Sequence, residues 1–222
     1  PSDDIADNLK TILSSNKKSN INIIQDTRFN QIANIKTNNQ FYNHITNPHN
    51  VITFGSIDQL DEKLIFQLLP EIIKQKNVIL VPHEVDFKTV MRLEKKIISM
   101  SLDYYKFSES GLDLSNKILL VDVLGILAQL YVLGAHAYVG GGFQRGVHSV
   151  LEPAVYGCHI GCGPNIEMLD EAKQLRAVGA LKIIDNKNDL ISFINQPPQK
   201  NTFMNNVESV PHDMIHCLLK ND

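Results

Sequence analysis

Cysteine is scarce: the chain of 222 residues has three, Cys158, Cys162 and Cys217. An odd number without a secretory signal argues against a disulfide framework and for a reducing compartment, which makes the cytoplasm the expected location. Cys158 and Cys162 have no second Cys or His pair at zinc spacing, so no metal is expected, and 158–162 is expected to be a short buried strand. A basic excess is missing too. With 21 Lys and Arg against 24 Asp and Glu the formal charge is −3, which argues against a domain whose affinity rests on nucleic-acid phosphates. An unbroken apolar run is also lacking. The segment 118–143 carries only Asp122 as a charge but is interrupted by Gly125, Gln129, Gly134 and His136, and it ends in three glycines. That pattern fits strand, buried helix and strand in succession, not a membrane span. The start of the chain, Pro1-Ser2-Asp3-Asp4, is acidic, and no targeting peptide is expected there.

What remains is an ordinary globular composition, 43% hydrophobic and 20% charged, in a chain long enough for a self-sufficient core. From about Asn50 onward, strand-like and helix-like patterns alternate. Strands are expected at 50–54, 77–81, 104–107, 117–121, 136–139, 159–161 and 180–184. Between and after them, helical periodicity covers 60–73, 87–98, 124–133, 149–156, 165–178 and 189–194. Such crossovers dictate an α/β fold, doubly wound, with a mostly parallel sheet and helices on both faces. Before them, 4–13 has a helical pattern, 21–25 a strand pattern, and 34–50 is Asn-rich and reads as an exposed connection. A last helix is expected after Pro198, up to Leu219.

Open parallel sheets bind ligands beyond the carboxyl ends of their strands. At Phe54-Gly55-Ser56-Ile57, backbone N–H groups offered to an anion and a plain turn capped by Ser56 are both open readings. After the most apolar strand come Pro82, His83 and Glu84, where His83 is either a ligand contact or a capping residue. The most specific segment is Gly140-Gly141-Gly142-Phe143-Gln144-Arg145-Gly146-Val147-His148-Ser149, in which glycines allow close approach of a phosphate and Arg145 and His148 add positive charge. Its spacing differs from G-x-G-x-x-G, which excludes a simple NAD-binding dehydrogenase. Glu152, one turn on, either completes a capping box with Ser149 or accepts hydrogen bonds from two ribose hydroxyls.

Gly140 to Phe143, then Gly146-Val147-His148-Ser149-Val150-Leu151-Glu152-Pro153-Ala154, then Gly161-Cys162-Gly163-Pro164-Asn165 resemble the C-terminal half of bacterial 3-deoxy-D-manno-octulosonic acid (Kdo) transferases. The family's pattern there is a glycine run, His-Asn-x-Leu-Glu and a Gly-Pro-Asn-like turn. Further matches follow the family's order over roughly 21–185: Gln25 to Phe29, Gly55-Ser56 with Asp61-Glu62, Pro82-His83-Glu84, and Val121-Asp122 with Gly125, Leu127, Leu130 and Tyr131. The resemblance implies one Rossmann-like half of a two-domain GT-B glycosyltransferase. Residues 1–20 would be an interdomain helix or linker, 21–196 the nucleotide-sugar donor-binding domain, and 197–222 a C-terminal helix packing on or leaving it.

The resemblance further implies CMP-Kdo as donor substrate, inverting transfer to a lipid A precursor in lipopolysaccharide biosynthesis, and no cofactor or obligatory metal; the chain has no Asp-x-Asp motif. Glu152 would hold the ribose. Gly140, Gly141, Gly142 and Phe143 with His148 and Ser149 would hold the phosphate, and Ser56, Pro82 and His83 would line the nucleotide or Kdo side. No catalytic residue is expected in this chain, because the general base and the acceptor site belong to the family's N-terminal domain. The chain would then bind CMP or CMP-Kdo without turnover, and membrane association, at the cytoplasmic face of the inner membrane, would belong to the intact enzyme. Ser149 stands where the family usually has Asn, Ile57 where it often has Thr, and no Arg separates Pro82 from His83. These departures keep open two alternatives: the donor domain of another GT-B enzyme using a uracil nucleotide sugar, and a non-catalytic nucleotide-binding or interaction module.

Overall fold

The computed structural model describes residues 28–199 apart from 46 and 116. In chain order the elements are α1 (Arg28–Thr37), β1 (Val51–Ile57), α2 (Gln59–Ile72), β2 (Asn77–Pro82), α3 (Phe87–Ser99), β3 (Tyr105–Lys106), α4 (Phe107–Ser110), β4 (Ile118–Leu120), α5 (Leu127–Leu130), β5 (His136–Val139), α6 (Leu151–Val155), β6 (His159–Cys162), α7 (Asp170–Ala177), β7 (Leu181–Ile183) and α8 (Lys187–Asn195). The strands form one seven-stranded sheet in the order β3-β4-β2-β1-β5-β6-β7. Every pairing is parallel. This is the doubly wound α/β arrangement that the alternating pattern dictates. The chain leaves β1 toward β2 and later returns to β5 on its other side, so the strand order reverses between β1 and β5.

Period-two alternation assigns each strand residue to a face. Ile52 and Phe54 of β1, Val78 and Leu80 of β2 and Tyr138 of β5 pack with Ile65 and Leu69 of α2, Leu93 of α3 and Phe193 of α8. Ile79 and Val81 face the opposite side with Leu130 and Leu133. Ala137, Val139, Ile160 and Cys162 pack there with Ala154, Ala172 and Leu175. With both faces covered, the middle strands are continuous apolar runs, and each buried leucine contributes about 2 kcal/mol of burial free energy. α1 lies over α6, where Ile32 meets Leu151 and Val155. Lys36 Nζ donates to the Val155 carbonyl at 2.8 Å.

Several elements differ from their sequence expectation. β1 runs on to Ile57 instead of ending at a turn after Phe54, with a register shift between Phe54 and Ile57. Residues 34–37, read as part of an exposed connection, are the end of α1. The helices expected over 124–133, 149–156 and 165–178 shorten to α5 followed by a 3-10 turn, α6 and α7. The segment 118–143 divides into these short elements, and no helix among the described residues is long and apolar enough to cross a membrane. The helix over 4–13, the strand over 21–25 and the helix from Pro198 to Leu219 were expected where the chain lies outside the described residues, save for 198–199, which are coil.

Candidate functional site

The carboxyl ends of β1, β2 and β5 meet at a cleft of about 410 Å³. It is lined by Ile57 at the end of β1, Asp58 and Gln59 at the start of α2, His83 and Glu84 after β2, Thr89 and Arg92 of α3, and Gly141, Gln144, Arg145, Gly146 and His148 after β5. A strand-order reversal is where an open parallel sheet offers a ligand crevice, because the loops from the two flanking strands diverge there.

The register shift in β1 puts Ser56 in the left-handed region, at φ 55°, a conformation L-residues rarely adopt. Backbone strain of this kind persists where surrounding structure enforces it. Here the Ser56 hydroxyl lies 3.1 Å from His83 Nδ1. The His83 N–H donates to the Ile57 carbonyl at 3.0 Å, so the β1–β2 ladder extends beyond Pro82 and fixes His83 at the sheet edge. The His83 ring stacks on that of His148, with centroids 4.1 Å apart and planes 12° apart. Burial first, and the neighbouring His83 second, hold the His148 imidazole below its ordinary pKa. Ser56 does not cap α2: Asp58 does, in a capping box with Asp61.

The glycine segment is held from three sides. The Gly140 N–H donates to the Gly55 carbonyl at 2.9 Å and the His148 N–H to the Gly140 carbonyl at 3.0 Å. Gly141 has φ +90°, and an added Cβ would lie 2.7 Å from the Gly146 carbonyl oxygen and 2.8 Å from His148 Nε2. A Cβ on Gly142 would lie 2.7 Å from the backbone of Gly163, so the Gly163-Pro164-Asn165 turn presses directly on the loop. Asn165 completes the junction, donating its N–H to the Gly142 carbonyl at 2.9 Å and accepting from Val147 at 3.0 Å. The third support is Asp61, 0% exposed. Its Oδ2 accepts from the N–H groups of Gly141 and Asp58, both at 2.9 Å, and its Oδ1 from the Tyr138 hydroxyl at 2.7 Å.

These bonds change what the loop offers a ligand. The N–H groups of Gly140 and Gly141, in the loop expected to hold the phosphate, are taken up inside the protein. Positive charge comes instead from side chains. Arg145 has no ion-pair partner among the described residues. Arg92 reaches the cleft while bonded to Glu62 at 2.6 Å, and Lys96 reaches the same carboxylate at 2.6 Å. Sequence reading missed Asp58 and Arg92. Asp58 carried a signal, an Asp-x-x-Asp capping box before an apolar helix, whereas Arg92 looked like one more charge on an amphipathic helix.

Of the ten sequence-derived positions, the structure places His83, Gly141 and His148 in the cleft lining and Ser56 behind them against His83. Pro82 is buried at the end of β2, and Phe143 packs against the core. Gly140 and Gly142 support the loop from behind. Ser149 and Glu152 do not form a capping box: α6 starts at Leu151 with Val150 at its cap and no side-chain bond there. Glu152 is outside the cleft lining and without a hydrogen-bond or ion-pair partner among the described residues. Burial raises its pKa, and its charge bears on Tyr131, whose hydroxyl occupies the space a side chain at Gly55 would need.

No protein-family model matches the chain. A 3-deoxy-D-manno-octulosonic acid transferase of Aquifex aeolicus is 27% identical over 150 residues, covering 65% of this chain and 41% of the relative. The namesake protein of Chlamydophila psittaci is 27% identical over 155 residues, covering 68% and 35%. That of Chlamydia pneumoniae is 29% identical over 149 residues, covering 65% and 34%. The chain thus spans well under half the length of these relatives. In fold, the C-terminal CMP-Kdo binding domain of WaaA from Acinetobacter baumannii superposes with a TM-score of 0.59 at 20% identity, over 75% of this chain and 86% of that one. UDP-GlcNAc 2-epimerase from Methanocaldococcus jannaschii superposes at 0.62 and 18% identity, over 99% of this chain and 60% of that one. The motif resemblance holds along the chain: over about two thirds of its length it is similar in sequence to Kdo transferases, and in fold it is similar to a CMP-Kdo binding domain.

Proposed function

We propose that the chain is the donor-binding half of a Kdo transferase and that the cleft seats the phosphate of CMP-Kdo or CMP. The observation that carries this reading is the meeting of Ser56, His83, Gly141 and His148 at the strand-order reversal, all drawn from motifs shared with that family. Arg145 and Arg92 supply the positive potential for a phosphate and the two imidazoles offer it ring N–H donors, while Asp58 and Glu84 leave room for hydroxyl groups at the rim. Glu152, without a hydrogen-bond or ion-pair partner among the described residues, accepts from the ribose hydroxyls.

In the intact enzyme an acceptor hydroxyl of a lipid A precursor attacks the anomeric carbon of Kdo, CMP departs, and configuration inverts. The cleft stabilises the charge that develops on the leaving phosphate. The base that removes the acceptor proton, the acceptor site and the membrane contact are assigned to a second domain, so this chain binds donor without turnover and with no metal, and the intact enzyme works at the cytoplasmic face of the membrane.

Calorimetry with CMP and UMP on the full chain tests the reading. Binding of CMP in preference to UMP is expected; preference for UMP moves the assignment to a uracil nucleotide sugar, as in the 2-epimerase with the related fold. Binding of neither makes the chain a non-nucleotide module.

A further inference from the structure

Asp61 sits directly behind the cleft wall. The two residues whose N–H groups it accepts, Gly141 and Asp58, line the cleft on its ligand side. The carboxylate is 0% exposed and no cation among the described residues contacts it, unlike the neighbouring Glu62, which holds Arg92 and Lys96. Among the described residues, Asp58 from the β1–α2 turn, Tyr138 from β5 and Cys162 from β6 are the ionisable groups acting with it. Burial raises the Cys162 thiol to about 12, and burial together with Asp61 raises the Tyr138 hydroxyl further, so both stay neutral.

The three bonds allow a change of charge without movement of the loop. When Asp61 is ionised, both oxygens accept. When it takes a proton from water on Oδ1, Oδ2 still accepts from Gly141 and Asp58, and the Tyr138 hydroxyl, 2.7 Å away, turns from donor to acceptor. A phosphate in the cleft puts a like charge on the other side of the Gly141 peptide, which disfavours the ionised carboxylate. We infer that Asp61 couples the cleft to a proton: it is ionised when the cleft is empty, protonated when an anion occupies it, and its return to the charged state favours release of the anion. The inference rests on the reading of the cleft as a phosphate seat. Burial, ahead of the opposing bonds from Asp58, Tyr138 and Gly141, already raises its pKa to about 6 in the empty protein, within reach of such a shift.

The test follows the Gly141 amide by NMR across pH 5–8 in the full chain, alone, with sulfate and with CMP. Sulfate keeps its charge across this range, whereas a nucleotide phosphate has its own second ionisation near 6. The amide is expected to titrate near 6 in the empty protein. Either anion should move that midpoint up by about one pH unit, the size of effect a neighbouring charge produces. Asp61→Asn, which keeps an acceptor for both N–H groups, should abolish the titration and bind CMP at pH 7 at least as tightly as the parent chain. Tyr138→Phe, which removes one bond to the charged form, should move the midpoint higher and gives an independent check if Asp61→Asn fails to fold. An amide that does not titrate, a midpoint unmoved by both anions, or CMP bound about tenfold more weakly by Asp61→Asn would each overturn the inference. A midpoint moved by sulfate with no binding of CMP would keep the coupling and remove the nucleotide reading.

Discussion

The imidazole of His148, carried by the glycine loop after β5, stacks on that of His83 at the end of β2, and His83 in turn meets the Ser56 hydroxyl of β1. Three strand ends are thereby joined through side chains, beyond the backbone bonds from His83 to Ile57 and from Gly140 to Gly55, at the place where the strand order reverses. His148→Ala and His83→Ala should each weaken CMP binding by about tenfold, the loss expected for one charge-assisted hydrogen bond. Because the rings touch, the double variant should lose less than the sum of the two. Calorimetry on the three variants measures both the losses and their coupling.

Gly141→Ala tests the loop. A methyl group there meets the Gly146 carbonyl and His148 at φ +90°, so the loop must shift and carry His148 with it. A loss of about 2 kcal/mol in stability and of CMP binding is expected, read by denaturant unfolding and calorimetry.

Glu152→Gln separates ribose binding from folding. With a raised folded-state pKa, ionised Glu152 costs stability as pH rises through that value, so removing its charge should not lower the melting temperature at pH 7. CMP affinity should nevertheless fall by about tenfold, and an affinity unchanged from the parent would remove Glu152 from the site.

Acid stability follows from His136, buried at the start of β5. Burial first and Lys76 second lower its pKa to about 4, while its Nε2 lies 3.0 Å from the Gln196 carbonyl. The unfolded chain takes up a proton near 6.5 and the folded one does not, so stability is fully present above about 6.5 and falls as pH drops toward 4. Asp61 acts in the opposite sense, its raised pKa favouring the folded state as pH falls through about 6. Urea unfolding of His136→Phe should therefore show a shallower acid limb than the parent chain.

Local periodicity made much of the sheet legible. The runs 51–54 and 77–81 are apolar because both faces of β1 and β2 are covered, and α2 and α3 carry clean helical stripes. It failed where long-range contacts decide. Ser149 and Glu152 have capping-box spacing, yet the chain from Gly146 to Val150 is tied to Gly140 and Asn165 and enters the helix only at Leu151. The helix expected from Asn165 starts at Asp170 because Asn165 is bonded to the glycine loop instead. Motifs located Ser56, His83, Gly141 and His148. Nothing local pointed to Asp61 as the support of Gly141, since the two meet only after α2, β2 and β5 have packed.

A crystal structure of the chain soaked with CMP tests the central claim most directly. The account predicts the phosphate between Arg145, His148 and His83, and the ribose hydroxyls on the Glu152 carboxylate. CMP bound away from the β1–β5 crevice, or with its ribose turned from Glu152, would contradict it.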